Sequence, residues 1–240
     1  RWTEVCSIST RMDFEGAKLI RTKLSSAKLV GSKLSSSDLT GADLSSADLS
    51  RSTLDGAILS AGSTILRAVI LDSVDLSNRD LRGFDLSDAH LASANLQGAD
   101  LSGTVLTSTV LAHANMKNVL LGAHASLRRA DLTGIDFSGS DLSGFDLSET
   151  NLKEANFEGA NLRGANLSKA IIVSSSTVFR GANLEAATLS GCILEGFDFV
   201  GARLAGALLE SVNLQKADLS NADLVGRSEE RRVGKECRSR

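Results

Sequence analysis

The sequence predicts an all-β repeat fold in which the chain turns a corner in every five residues. Three observations predict it. Leucine recurs at intervals of five, as in GADLSSADLS at residues 41–50, where Ala42 and Ala47 stand two places before Leu44 and Leu49 and Asp43 and Asp48 stand between. That period suits neither regular structure: five steps of about 100° wind a helical stripe around the axis, and an odd period sends successive strand leucines to opposite sides. The pattern also fills nearly the whole chain, with 42 units centred from Phe14 to Leu224.

Within a unit, with the central residue called i, positions i-2 and i of a short extended piece point the same way and i-1 points opposite. The two small polar residues that follow make the corner. Leucine and the small residue at i-2 therefore go inward and the aspartate goes outward. Centres are Leu except Phe14, Met116, Phe137, Phe157, Ile172, Phe179 and Phe199.

In these A(D/N)Lxx units the chain, over about residues 12–226, resembles the pentapeptide repeat family. The resemblance implies a right-handed quadrilateral β-helix, a pentapeptide-repeat solenoid with four units per coil and about ten coils. Such an object is quasi-linear, stabilised by stacking each coil on its neighbours at about 4.8 Å, which makes a rod on the order of 50 Å long. Residues 1–11, with the single Trp, read as an N-terminal cap or the remnant of a preceding segment.

The register breaks at Gly62-Ser63, at His124 and at Ser175-Ser176. The first i-2 residues after the breaks are Thr64, Ala125 and Thr177, and twenty residues beyond each stands a Phe in the string GFD: Phe84, Phe145 and Phe197. One reading has each Phe filling the space beneath a bulged corner one coil back, which favours a 20-residue coil; the other treats GFD as ordinary repeat variation.

Residues 227–240, RSEERRVGKECRSR, share nothing with the repeat. They read either as a charged interaction arm or as the in-frame translation of a sequencing adapter, and the second is the expectation. Without their six Lys/Arg and three Asp/Glu the chain has 20 basic and 26 acidic residues, a net charge of -6.

No catalytic, metal or cofactor site is expected. His90 is an outward residue, His113 a corner residue and His124 an insertion, so spacing assembles neither a metal set nor a nucleophile-base pair. Cys192 fills an inward slot, where a thiol is small and apolar. The regular Asp residues read as structure rather than acid-base machinery, and the Gly-Ala strings as corners rather than phosphate loops. The chain has no apolar stretch of membrane-spanning length, and a reducing, cytoplasmic location is the expectation.

Two functional classes remain. The first is a non-catalytic protein-protein interaction scaffold or spacer. Its candidate contacts are apolar residues at the outward slot, clustered beside the breaks: Ile58, Ile65 and Ile70, then Val105, Val110 and Leu120, then Ile171 and Val178. Folding of the bulges over these side chains, or the ease with which β-branched residues enter short strands, would equally account for them. The second class follows from resemblance to the quinolone-resistance members of the family, which inhibit type II topoisomerases as DNA mimics. It would use an acidic face of Asp13, Glu15, Asp55, Asp75, Asp136, Glu158, Asp198 and Asp218, interrupted by Lys33, Lys117 and Arg180. In either class the partner is a protein, direct nucleic-acid binding is not expected, and a homodimer would form through an end outside the sequence. The charged rings Lys18, Lys23, Lys28, Lys33 and Asp131, Asp136, Asp141, Asp146, with the Asn ring Asn151, Asn156, Asn161, Asn166, read as solvated surface.

Overall fold

Each five-residue unit turns through a hydrogen-bonded corner. In the computed structural model, which describes residues 10–122 and 126–223, the N–H of Ala17 reaches the carbonyl of Phe14 at 2.9 Å, and Ala27 reaches Leu24 at 3.0 Å. The third residue of the corner is left-handed, as at Gly16 (φ 63°) and Ser26 (φ 59°), which makes it a type II turn. Glycine is the residue that tolerates this conformation, yet among the described residues twenty-two non-glycine residues adopt it. Each costs on the order of 1 kcal/mol. The cost is offset between coils, because the same residue donates upward: Arg21 N–H to Thr40 O at 2.9 Å, Ser26 N–H to Ser45 O at 2.9 Å.

The outward residue carries the other half of the corner. Asp43 Oδ1 accepts the N–H of Ser45 at 3.0 Å and its hydroxyl at 2.7 Å, and Asp48 does the same for Ser50. Asn serves equally, as Asn156 does for the N–H of Glu158. This is why Asp or Asn recurs at the outward slot: a short side chain bonding the backbone two residues on holds the turn.

Stacking is parallel with a period of twenty. Lys18 bridges Asp38, Lys23 bridges Asp43 and Lys28 bridges Asp48, so four five-residue units separate each residue from the one above it. The ladder is reciprocal, with Leu19 N–H to Asp38 O at 2.8 Å and Asp38 N–H to Ala17 O at 2.9 Å. The chain is a repeat β-solenoid. It falls into two compact units divided between Asp131 and Leu132.

In the first unit the interior is leucine and small residues: Leu24, Leu29, Leu34 and Leu39 are buried, as are Ala27, Ala42 and Ala47. Where an inward slot holds a hydroxyl it turns to a carbonyl, Thr22 to Leu19 O and Ser37 to Leu34 O, both at 2.7 Å. The insertion at Gly62-Ser63 lengthens one coil without re-phasing it, since Asp43 bridges Ile65 and Asp48 bridges Ile70. Past the second break Val110 bridges Asp131; His124 and Ala125 themselves lie outside the described residues.

The second unit adds an aromatic column. Phe137, Phe157, Phe179 and Phe199 stack with centroids 5.7, 5.1 and 5.9 Å apart, in the range favoured by offset aromatic pairs. The third break is absorbed in the same way as the first, because Asn156 bridges Val178. Phe84 and Phe197, each twenty residues beyond a threonine that closes a break, are buried in their respective units. Phe145 is also buried, but the break assigned to it lies outside the described residues, as do residues 1–9 of the expected cap and the whole of 227–240.

Candidate interaction surfaces

With Asp and Asn held in corner duty, the outward positions that depart from them define the candidate surface. An aliphatic side chain at that slot gives up the bond to the backbone two residues on and adds apolar surface to water. Ile58 (53% exposed), Ile65, Val105, Leu120 (59%), Ile171 and Val178 all stand out from the fold, whereas Ile70 and Val110 are half-buried. The bulges at Gly62-Ser63 and Ser175-Ser176 therefore leave Ile58, Ile65, Ile171 and Val178 exposed. Ile193, at 73%, and Leu208 are also exposed; they occupy the same outward slot but no break adjoins them in sequence.

The candidates do not merge into one stripe. In the first unit Ile58, Ile65 and Ile70 follow one another around a single coil. Along the stacking direction they alternate with polar residues: Ile70 bridges His90, which bridges Val110, and Asp85 bridges Val105. Leu120 lies on Asp100. In the second unit Ile171 lies on Asn151, Val178 on Asn156, Leu208 on Thr188, and Ile193 beneath Asn213. The surface is thus a set of short aliphatic bands.

The acidic residues fall in rows, diluted by their neighbours. In the first unit Asp13 bridges Lys33, whose ammonium lies 3.7 Å from its carboxylate, and Lys33 in turn bridges Thr53. Asp75 accepts from Asn95, which accepts from Asn115. Glu15 and Asp55 are exposed corner residues. In the second unit Asp136 accepts from Asn156, and Asp198 bridges Asp218 while Arg180 stands 3.9 Å from it. Glu158 is an exposed corner residue.

The rings are partners. Lys18, Lys23 and Lys28 lie beneath Asp38, Asp43 and Asp48, a charge-complementary stack that the five-residue period alone does not reveal. In the second unit Asn156, Asn161 and Asn166 donate to Asp136, Asp141 and Asp146 at 3.1, 2.9 and 3.3 Å. Stacking Asn on Asp supplies a donor where a second carboxylate would repel. Hydrogen bonds from Thr40 first, and the charge of Lys18 after them, hold Asp38 below the usual carboxylate range; the Arg82 guanidinium takes Asp80 down to about 2.

Among the described residues no group of His, Cys, Asp and Glu is placed to hold a metal ion. His90 faces outward in its row, and His113 occupies a left-handed corner position. Cys192 is buried with its Sγ 3.1 Å from Leu167 O, and burial pushes its thiol up to about 11. At that value a thiol is neutral and unreactive at physiological pH. No helix among the described residues is long and apolar enough to cross a membrane.

The sequence profile of pentapeptide repeats matches eight overlapping stretches, 10–35, 23–60, 70–107, 85–122, 123–144, 130–169, 172–196 and 194–226. The chain belongs to the pentapeptide repeat family. Among solved pentapeptide repeat structures it is similar to HetL of the cyanobacterium Nostoc sp. strain PCC 7120, a protein involved in the regulation of heterocyst differentiation, with 30% identity over 90% of this chain and 86% of that one and a TM-score of 0.41. It is also similar to trypsin-treated QnrB1, a plasmid-mediated fluoroquinolone resistance protein, with 22% identity over 84% of this chain and 91% of that one and a TM-score of 0.39. A pentapeptide repeat protein of the Arabidopsis thaliana thylakoid lumen shares 31% identity over 54% of this chain and 71% of its own, with a TM-score of 0.27. No curated protein matches.

Proposed function

We propose that this pentapeptide repeat chain is a non-catalytic protein-binding solenoid, built of right-handed four-sided coils, whose partner contacts are the exposed aliphatic bands. One observation carries the reading. An Asp or Asn at the outward slot stabilises its own corner, and a hydrogen bond of that kind contributes about 0.5–1.5 kcal/mol. Ile58, Ile65, Leu120, Ile171 and Ile193 forgo it and remain exposed, so the residues work against the fold they sit in. Contiguous exposed apolar groups mark association, and Ile58, Ile65 and Ile70 run consecutively around one coil.

The acidic rows support the topoisomerase-inhibitor alternative less well. Duplex DNA carries one charge per about 1.7 Å of axis, whereas here Lys33, Asn95, Asn115, Asn156 and Arg180 separate or neutralise the carboxylates. The test is an association assay. Ile65→Asp and Leu120→Asp should abolish cross-linking to the bound protein while leaving the thermal transition in place. Association that survives both substitutions refutes the aliphatic-band reading, and salt-sensitive inhibition of gyrase supercoiling that disappears with Asp136→Lys and Asp198→Lys would establish the alternative.

A further inference from the structure

Among the described residues the ladder between coils opens after the coil that carries the first inserted corner and again after the coil that carries the third. In the first unit Thr53, Ile58, Ile65 and Ile70 are all bridged to the coil before them, by Lys33, Asp38, Asp43 and Asp48. To the coil after them only Ile70 is bridged, by His90; the facing pairs Thr53 and Asp75, Ile58 and Asp80, Ile65 and Asp85 are not. One side stays closed, with Leu71 N–H to His90 O at 2.7 Å, His90 N–H to Val69 O at 2.9 Å and Ala68 N–H to Ser87 O at 2.8 Å.

The inserted corner explains the asymmetry. Ser60 O takes the N–H of both Ser63 and Thr64, and Thr64 Oγ1 donates to Leu39 O at 3.0 Å in the preceding coil while accepting from Ser60 N. The bulge is therefore pinned downward, and the following coil, which has no insertion, cannot match its longer path on the adjoining sides. The second unit repeats the device. Val173 O takes the N–H of Ser176 and Thr177, Thr177 Oγ1 donates to Leu152 O at 2.7 Å, and the pairs Ile171 and Ile193, Val178 and Asp198 are unbridged.

A buried Phe stands beside each opening, Phe84 in the first unit and Phe197 in the second. In the second unit Phe197 packs against Phe179 and Phe199 at 6.2 and 5.8 Å. In the first unit an arginine crosses the gap. Arg79 occupies an inward i-2 slot, where every other unit has an uncharged residue, and its guanidinium donates to Ala57 O. In the regular ladder a carbonyl at this position takes an outward residue's N–H, as Ser37 O takes Ile58 N at 2.8 Å and Arg79 O takes Asp100 N at 2.9 Å. Leucines from Leu44 to Leu86, Leu71 of the closed side included, line a small apolar space in the core of these coils.

We propose that the joint after the first inserted corner is a hinge, opening about the Ile70–His90 row, with Arg79 as its clasp. Opening separates Ile58 and Ile65 from Asp80 and Asp85, so the gap runs along the edge of the aliphatic band Ile58, Ile65 and Ile70.

The test is thiol accessibility in the full chain carrying Cys6→Ser, Cys192→Ala and Cys237→Ser. Ala57→Cys, at the gap, should react with a thiol reagent at least tenfold faster than Ala42→Cys in the closed ladder. Adding Arg79→Gln should speed Ala57→Cys several-fold further and leave Ala42→Cys unchanged. Equal rates at the two positions overturn the hinge, and equal acceleration of both by Arg79→Gln overturns the clasp. A second measurement leaves the core intact: spin labels on Ile58→Cys and Asp80→Cys should give a broader distance distribution than labels on Lys18→Cys and Asp38→Cys. Equally narrow distributions also overturn the hinge.

Discussion

Replacing Thr64 by Val tests whether a single hydroxyl anchors an inserted corner. Thr64 is buried, and its Oγ1 donates to Leu39 O at 3.0 Å and accepts the Ser60 N–H at 3.1 Å. Valine matches its shape. Leu39 O keeps the Ala42 N–H at 2.9 Å, so that side of the loss is small. The Ser60 N–H is half-buried and has no other backbone acceptor among the described residues. Leaving such a donor unmet costs roughly 1–3 kcal/mol, from which the added buried methyl returns about 0.8. The net expectation is a loss of about 1–2 kcal/mol, read by urea denaturation followed by circular dichroism. Thr177→Val removes the same pair of bonds, to Leu152 O and from Val173 N, and should cost the same within about 0.5 kcal/mol. Thr22→Val is the control: its hydroxyl bonds only Leu19 O, which the Thr22 N–H also reaches, so the loss should stay below about 1 kcal/mol. Losses below about 0.5 kcal/mol at both 64 and 177 would refute the claim that threonine pins the bulge.

Two further outcomes follow from the stacking. Phe157 stands between Phe137 and Phe179 and is wholly buried, so Phe157→Ala should destabilise the second unit by about 3–5 kcal/mol; a loss under about 1 kcal/mol in chemical denaturation would contradict the column. Asp80 titrates at about 2 because of the Arg82 hydrogen bonds, below the unfolded value near 3.9, so its contribution is complete above pH about 4 and is lost as pH falls through 2. Carboxyl chemical shifts of Asp80 should show a midpoint near 2 that rises in Arg82→Gln, and an ordinary midpoint in the unsubstituted protein would remove the Arg82 pairing.

Much of the fold was legible because its logic is local. Inward Leu44 and outward Asp43 are settled by a period of five, and the corner at Ser45-Ser46 by the residues between. Two signals were present and went unread. The centres Phe137, Phe157, Phe179 and Phe199 are spaced by twenty, twenty-two and twenty, which already places them in one column once the insertion is counted. Arg79 stands in a slot where every other unit has an uncharged residue, and that exception marked a guanidinium that reaches across an opened ladder. The aliphatic outward residues were legible as exceptions, but whether they were covered was not. Exposure of Ile58 and half-burial of Ile70, residues of identical type in equivalent slots, depend on what surrounds each in the folded chain.

By itself the sequence determined the repeat, the direction of each side chain and the turn after it, because each follows from residues within five of one another. Only the tertiary structure decided which outward residues meet. Lys18 on Asp38 and Asn156 on Asp136 are pairings across twenty residues of chain, and they require the chain to return above itself at that spacing. It also decided that an insertion lengthens a coil and leaves the rows in phase. That outcome rests on Thr64 and Thr177 each reaching a carbonyl twenty-five residues back, a distance over which local sequence exerts no constraint.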